Sequence, residues 1–277
     1  VTLPAGLGEV RDARRVPGGD INEAWAVELA DGRRAFVKTR PDAPAGEYAA
    51  EAAGLAWLAQ APGGVRVPRV LAQGDAFLAL EWIEPGRLDA AGEEELGRGL
   101  AATHRAGAEA FGAPWSLHLG AVVLPNDPGA DWPTFYAEQR LRPLTAMARD
   151  RGALSAAGAA AVESVCARMA ELAGPPEPPA RIHGDLWSGN VLAGADGRPW
   201  LIDPAAYGAH REIDLALLEL FGTPSPRTLA AYDEVHPRAD GHAERVALYQ
   251  LLPLLVHAVL FGGGYGDSVT RAARRYA

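Results

Sequence analysis

Eight residues in the second half of the chain, His183-Gly184-Asp185-Leu186-Trp187-Ser188-Gly189-Asn190, followed by Leu201-Ile202-Asp203, restrict its architecture more than any other stretch. They set a carboxylate, an amide five residues on and a second carboxylate thirteen beyond that. The flanking apolar residues read as strands, so three oxygen-bearing side chains gather on one strand–turn–strand. Asn190 and Asp203 are hard oxygen donors suited to Mg2+, which keeps waters and binds through few carboxylates plus phosphate oxygens. Asp185 is the candidate to orient a hydroxyl and take its proton late, because an ordinary carboxylate is too weak a base to deprotonate an alcohol beforehand.

A second observation is independent of the first. Of 26 basic residues, 25 are Arg and one is Lys. That one is Lys38, closing the short apolar run Ala35-Phe36-Val37. The planar fork of Arg cannot replace a compact ammonium reaching between phosphates. A composition this averse to Lys would otherwise have exchanged it. The order Lys, Asp, Asn, Asp resembles that of protein kinases, whose template adds a helix Glu paired with the Lys. Glu51 is the first candidate for that Glu, and Glu47, one turn earlier on the same helix face, is its rival. Gly18 and Gly19 could bring backbone N–H groups close to phosphates. Glu81, Trp82 and Ile83 would present backbone groups to adenine, with Leu192 and Ile202 as apolar contacts beneath it. Trp187, an aromatic two residues past Asp185, could form a platform for a sugar ring or an amine substituent. His183 reads as a structural hydrogen-bonder, Asp214 as a helix N-cap or, second, a brace for the catalytic loop, and His104, His257 and Cys166 as core residues.

The remaining composition narrows the class. With 277 residues the chain is long enough for two lobes, each with its own core. A net charge of −9, with no Lys/Arg run longer than two, speaks against nucleic acid or an anionic membrane as the main partner. The apolar run from Val246 to Leu260 is interrupted by Tyr249, Gln250, Pro253 and His257, so no membrane span is expected. No basic-then-apolar segment opens the chain as a signal peptide would. The lone Cys166 has no internal disulfide partner, and a cytoplasmic setting is the simplest. The sequence sets no oligomeric state.

Periodicity predicts strands over 9–16, 21–30, 33–39, 67–73 and 77–82, with one helix over 46–60. Ile83-Glu84-Pro85-Gly86 is the candidate boundary between an N-lobe of residues 1–84 and a C-lobe of residues 85–277. Beyond it, helices are expected over 88–106, 132–149, 155–172, 210–221, 226–235, 243–261 and 267–276. An irregular, Gly-, Pro- and Trp-rich excursion is expected over 111–131. The fold class is therefore α+β: a small lobe with a five-stranded antiparallel sheet and one helix, and a larger, mainly helical lobe.

The Trp-Ser-Gly interior of the 183–190 motif resembles the fructosamine kinase (ketosamine kinase) family, within the protein-kinase-like superfamily. The resemblance extends to Gly18-Gly19-Asp20-Ile21-Asn22, Glu51-Ala52-Ala53-Gly54-Leu55, Leu201 to Ala205, Asp214 to Gly222 and Trp132 to Leu141, so it covers nearly the whole chain. It implies ATP and Mg2+ as cofactors and a small-molecule or protein-bound ketosamine phosphorylated on its third-carbon hydroxyl. By the same resemblance Asp185 is the base, Asn190 and Asp203 the metal ligands, and Lys38 with Glu51 the phosphate-positioning pair. The phosphorylated adduct is expected to shed its sugar, which implies deglycation repair. Pro204 stands where protein kinases carry Phe, so no switch of their kind is expected, and the Gly-rich loop has no Cys for a redox-controlled dimer. An aminoglycoside- or choline-type phosphotransferase is the alternative with the same chemistry, and a nucleotide-binding pseudokinase the alternative without it.

Overall fold

The computed structural model describes residues 7–16, 22–222 and 224–277. Gly18 and Gly19 lie outside the described residues. Strands β1 (Val10–Arg15), β2 (Glu23–Leu29) and β3 (Arg34–Thr39) form an antiparallel meander. Helix α1 (Glu47–Leu58) follows, and β4 (Val70–Gly74) and β5 (Phe77–Glu81) complete a five-stranded sheet in the order β1-β2-β3-β5-β4. Side chains alternate across a strand, so β3 serves two faces at once. Ala35 and Val37 pack with Val27, Leu29 and Ala79 on one side of the sheet. Phe36 falls on the other, with Leu78 and Leu80 and with Tyr48, Ala52 and Leu55 of α1. Lys38 shares the face of Phe36, directly opposite Leu78 in the ladder, and is thereby aimed at α1.

The chain then turns helical: α2 (Ala90–Arg105), a hairpin of β6 (Leu117–Leu119) and β7 (Val122–Leu124), α3 (Trp132–Tyr136), α4 (Arg142–Asp150), α5 (Ala156–Ala167) and α6 (Met169–Leu172). Four short strands carry the motif region: β8 (Ala180–Ile182), β9 (Val191–Ala193), β10 (Pro199–Leu201) and β11 (Tyr207–Ala209), paired as β8 with β11 and β9 with β10. The last elements are α7 (Glu212–Leu220), α8 (Pro226–Val235), α9 (His242–Tyr249), α10 (Leu251–Phe261) and α11 (Tyr265–Ala273). Asp89, Asp131, Ser155 and Ser225 cap α2, α3, α5 and α8, each accepting from a backbone N–H in the first turn. The segment between sheet and helices is held by the β9–β10 hairpin. Gly86 N–H donates to Ala193 O at 2.8 Å and Ala195 N–H to Glu84 O at 2.7 Å.

Three expected helices are broken, two of them where proline withholds a donor. Residues 132–149 divide into α3 and α4 around a π-helical turn, Ala137–Leu141. Pro143 cannot donate to the Gln139 carbonyl, which instead accepts from the Arg140 guanidinium at 2.9 Å. Residues 243–261 divide at Gln250 into α9 and α10. There Pro253 leaves the Tyr249 carbonyl to the Tyr136 hydroxyl, at 3.4 Å. The third break, at Arg168, separates α5 from α6. The stretch 242–261 is long and apolar enough to cross a membrane, but most of it is buried inside the fold, as expected for core helices. The excursion over 111–131 contains the β6–β7 hairpin and is ordered through Arg140. That buried side chain donates to Pro125 O and Asn126 Oδ1, both at 2.6 Å, and lies between the rings of Phe135 and Tyr207.

Candidate active site

Lys38 leaves β3 buried and meets two carboxylates: Glu51 of α1 at 2.5 Å and Asp203, just beyond β10, at 2.9 Å. Glu47 turns away to a partly buried pair with Arg40, which separates the two candidate glutamates. Burial would lower the Lys38 pKa, but Asp203 and then Glu51 overcome it and hold the ammonium above its ordinary value. Burial pushes the Glu51 carboxyl up to about 7 against the pull of Lys38, with the negative charge of Asp203 adding to the rise. Asp203, also opposed by burial, is held below the usual carboxylate range by Lys38. The Asp203 backbone has φ of 54°, the one left-handed non-glycine conformation among the described residues. Strain of this kind, on the order of 1–3 kcal/mol, persists only where surrounding contacts impose it.

Those contacts are visible. Ile202 N–H donates to Asn190 O at 3.1 Å, Ala205 N–H to His183 O at 3.0 Å, and His183 Nε2 lies 2.9 Å from Ile202 O. The loop bearing Asp185 and the turn bearing Asp203 are thus stitched together on both sides of the strained residue. Gly184, at φ 82°, lies so close to this seam that a Cβ there would sit 2.0 Å from Ala205 O. Asp214 takes the second of its two expected roles, the loop brace, and not the first. It does not cap α7; fully buried, it accepts from His183 N–H at 2.7 Å and Gly184 N–H at 2.8 Å. His104 Nε2 stands 3.2 Å from the same carboxylate, and Tyr232 binds the far side of that ring, so this core histidine supports the loop indirectly.

Asn190 places its side-chain Nδ2 on Asp185, 2.8 Å from the backbone oxygen and 3.2 Å from Oδ2. The amide nitrogen is committed, which leaves Oδ1 as the free ligand atom. Burial, with the negative charge of Asp203 adding to it, pushes Asp185 up to about 7. Ser188 Oγ donates to Phe221 O at 2.8 Å, and a Cβ on Gly189 would lie 2.2 Å from the Trp187 ring. The Trp-Ser-Gly interior therefore has a physical reading: Ser188 ties the loop to the end of α7, and Gly189 is the space over which Trp187 lies.

A cavity of about 570 Å3 opens on these groups, and Lys38, Glu51, Asp185, Trp187, Asn190 and Asp203 all line it. Glu81, Trp82, Ile83, Leu192 and Ile202 are not among its lining residues. Glu81 N–H is taken by Arg69 O at 2.9 Å, and the Trp82 indole lies beneath Arg34 and donates to Glu84 at 3.0 Å. Residues unmarked in the sequence complete the lining, among them Phe221, Phe261, Tyr265 and His257, the last expected in the core. His118 and Trp115 line it from the 111–131 excursion. Trp115 is fixed through the Asn126 amide on its carbonyl, at 2.9 Å, and so through Arg140.

Comparison with known proteins agrees with this geometry. Residues 5–276 match the profile of the fructosamine kinase family. A probable ketoamine kinase of Synechocystis is 38% identical over 263 residues, covering 92% of this chain and 87% of its own. The crystal structure of a candidate fructosamine-3-kinase from Thermobifida fusca superposes with a TM-score of 0.91 at 46% identity, covering 97% of this chain and 94% of that one. An ADP-bound aminoglycoside phosphotransferase, 14% identical and covering 96% and 93%, shares the two-lobed kinase-like fold with a TM-score of 0.66. The chain belongs to the fructosamine kinase family.

Proposed function

We propose that the protein transfers the γ-phosphoryl group of ATP to the third-carbon hydroxyl of a ketosamine and thereby serves deglycation. The observation that carries this reading is the convergence of Lys38, Glu51 and Asp203 in the lining of a cavity that Asp185 and Asn190 also line. Phosphoryl transfer needs positioning and charge neutralisation more than covalent help from the protein. Lys38, held by Glu51, is set to contact ATP phosphates. Asp203 and the free Oδ1 of Asn190 fit Mg2+, a small hard ion satisfied by few protein oxygens, which when bound neutralises charge on the phosphates. Asp185 aligns the acceptor hydroxyl: its oxygen bonds to the γ-phosphorus as the bridge to ADP breaks, and its proton passes to the carboxylate. Residues 1–84 form the nucleotide lobe in this reading, with adenine against the 81–83 backbone and Leu192 and Ile202, and Gly18 and Gly19 over the phosphates. Residues 85–277 supply the acceptor site, with Trp187 facing the sugar. The unpaired, buried Cys166 fits a reducing, cytoplasmic setting.

The test is ADP release over a panel of ketoamines, aminoglycosides and choline, with the phosphorylated carbon located by 31P–13C coupling. Turnover on ketoamines with phosphate on the third carbon is expected. Turnover confined to antibiotics or choline overturns the substrate assignment.

A further inference from the structure

The charged residues lining the acceptor cavity come from β3, α1 and the loops bearing Asp185 and Asp203. Among its described lining residues the ionic side chains are Lys38, Glu47, Glu51, Asp185 and Asp203, one cation against four carboxylates. The single cation is already engaged by two of those acids. A second part of the lining, Phe221, Val256, His257, Leu260, Phe261 and Tyr265, comes from α7's end, α10 and α11 and carries no acidic or basic chain other than the imidazole. His257 is its hub, with ring centroids 4.5 Å from Phe221, 5.0 Å from Tyr265 and 5.4 Å from Phe261. Its Nδ1 lies 2.8 Å from Pro253 O, a hydrogen bond that requires Nδ1 to carry the proton. Burial holds the imidazole below its ordinary pKa, so the wall carries no charge.

Two of the three large hydrophobic side chains exposed in the described chain, Trp187 and Phe261, line this same cavity. Phe261 is 58% exposed. Open apolar area of this kind marks a binding site more often than an unfilled core. The catalytic groups fix which part of an acceptor reaches each part of the lining. The hydroxyl that receives phosphate must sit at Asp185, which leaves the remainder of the molecule to extend along the aromatic wall.

Given the ketosamine reading, on which this rests, we propose that the Phe221–His257–Phe261–Tyr265 wall is the subsite for the amine carrier. It selects carriers whose first few atoms are apolar, such as an alkyl or benzyl amine or the methylene chain of a lysine side chain. It selects against carriers with a carboxylate next to the amine, as in an α-amino acid modified on its α-nitrogen. Two causes act together. Aromatic faces attract the cationic secondary amine and take up apolar area. Among its described lining residues the cavity would offer a carboxylate no unengaged basic side chain and several like charges.

The experiment compares adducts of one ketose with methylamine, benzylamine and glycine. The benzylamine adduct is expected to exceed the glycine adduct at least about tenfold in kcat/KM, the scale on which apolar pockets discriminate. In Phe261→Ser the benzylamine-to-methylamine ratio is expected to fall about tenfold, mainly through KM. In Phe261→Arg the glycine adduct should gain on the benzylamine adduct. Val123→Ser, which removes the third exposed hydrophobic, a residue paired with His118 across the β6–β7 hairpin but itself outside the cavity lining, should leave the ratios unaltered. Equal kcat/KM for all three adducts, or ratios indifferent to Phe261, overturns the carrier subsite while leaving the ketosamine reading in place. No turnover on any adduct overturns both.

Discussion

Lys38 is held by two acids, and its neighbours show why no other cation would serve. The side chain lies buried between Glu51 and Asp203, at 2.5 and 2.9 Å, in a space shaped for one ammonium. Arg would bring a wider, planar group that cannot contact both acids and a phosphate from the same place. Lys38→Arg is therefore expected to lose on the order of 100-fold in kcat, the scale of one electrostatic contact to a reacting group, while the chain remains folded. Steady-state ADP release together with circular dichroism measures both. Gly189 makes a different kind of contribution. A methyl group there would strike the Trp187 ring, so Gly189→Ala should raise KM for the acceptor roughly tenfold and leave KM for ATP unchanged. Equal rises in both KM values would count against Trp187 as an acceptor platform. The motif itself was legible because each of its residues has a role fixed by local spacing. Asp214 was legible only as the second of two readings. Its carboxylate acts on His183 and Gly184, 31 and 30 residues away, and nothing in its own helix announces that contact.

Among the elements, α1 and the β6–β7 excursion decide how the two lobes meet. Helix α1 presses against the segment after Asp203: Gly54 is so close that its Cβ would lie 3.2 Å from Ala206 Cβ. Farther along the same helix, Trp57 packs edge-on against Trp115 at 5.8 Å. The Lys38–Glu51 pair thus depends on a small residue one turn from Glu51. Gly54→Val should push α1 outward and lower kcat by about tenfold or more, since shifts near 1 Å can have that effect. The same variant should weaken ATP binding, which titration calorimetry reads; normal kcat and affinity would show that α1 has slack. Element types followed from periodicity, and the five strands and α1 stand close to where alternation put them. Helix breaks did not follow. Pro143 and Pro253 both sit in long apolar patterns that suggest continuity, and each break is stabilised by a distant donor, Arg140 or Tyr136, invisible to a local window. The aromatic wall escaped notice for a related reason. Phe221, His257, Phe261 and Tyr265 carry ordinary helical spacing, and their common exposure to one cavity arises only when three elements are packed together.

Across the whole molecule, the helical lobe is tied at its back by a buried ionic cluster remote from catalysis. Glu212 meets Arg245 at 2.6 Å and lies 3.3 Å from His242, while Glu177 of the proline-rich segment pairs with Arg211 at 2.8 Å. Burial works against the Glu212 carboxylate, but the nearby His242 and the hydrogen bonds from Arg245 pull its pKa down to about 2. A carboxyl depressed on folding stabilises the native state fully above the ordinary glutamate pKa. That stabilisation is lost as pH falls from there toward about 2. The shift corresponds to roughly 3 kcal/mol at neutral pH. Glu212→Gln should accordingly lower the urea midpoint at pH 7, and the gap to the unaltered protein should narrow as pH falls below about 4.5. A gap that stays constant with pH would mean the cluster stabilises by packing alone. The two-lobed class could be read from the change of periodicity near residue 84, but this cluster could not, because its charges come from three separated segments.

The central claim is that one cleft transfers phosphate through Lys38, Asp185, Asn190 and Asp203, and single-turnover transfer from γ-labelled ATP to a ketosamine tests it most directly. With the unaltered protein the label should move to the third-carbon oxygen in a Mg2+-dependent step. Asp185→Asn and Asp203→Asn, folded by circular dichroism, should each reduce that step by at least about 100-fold. Transfer at near-normal rate in either variant would contradict the assignment.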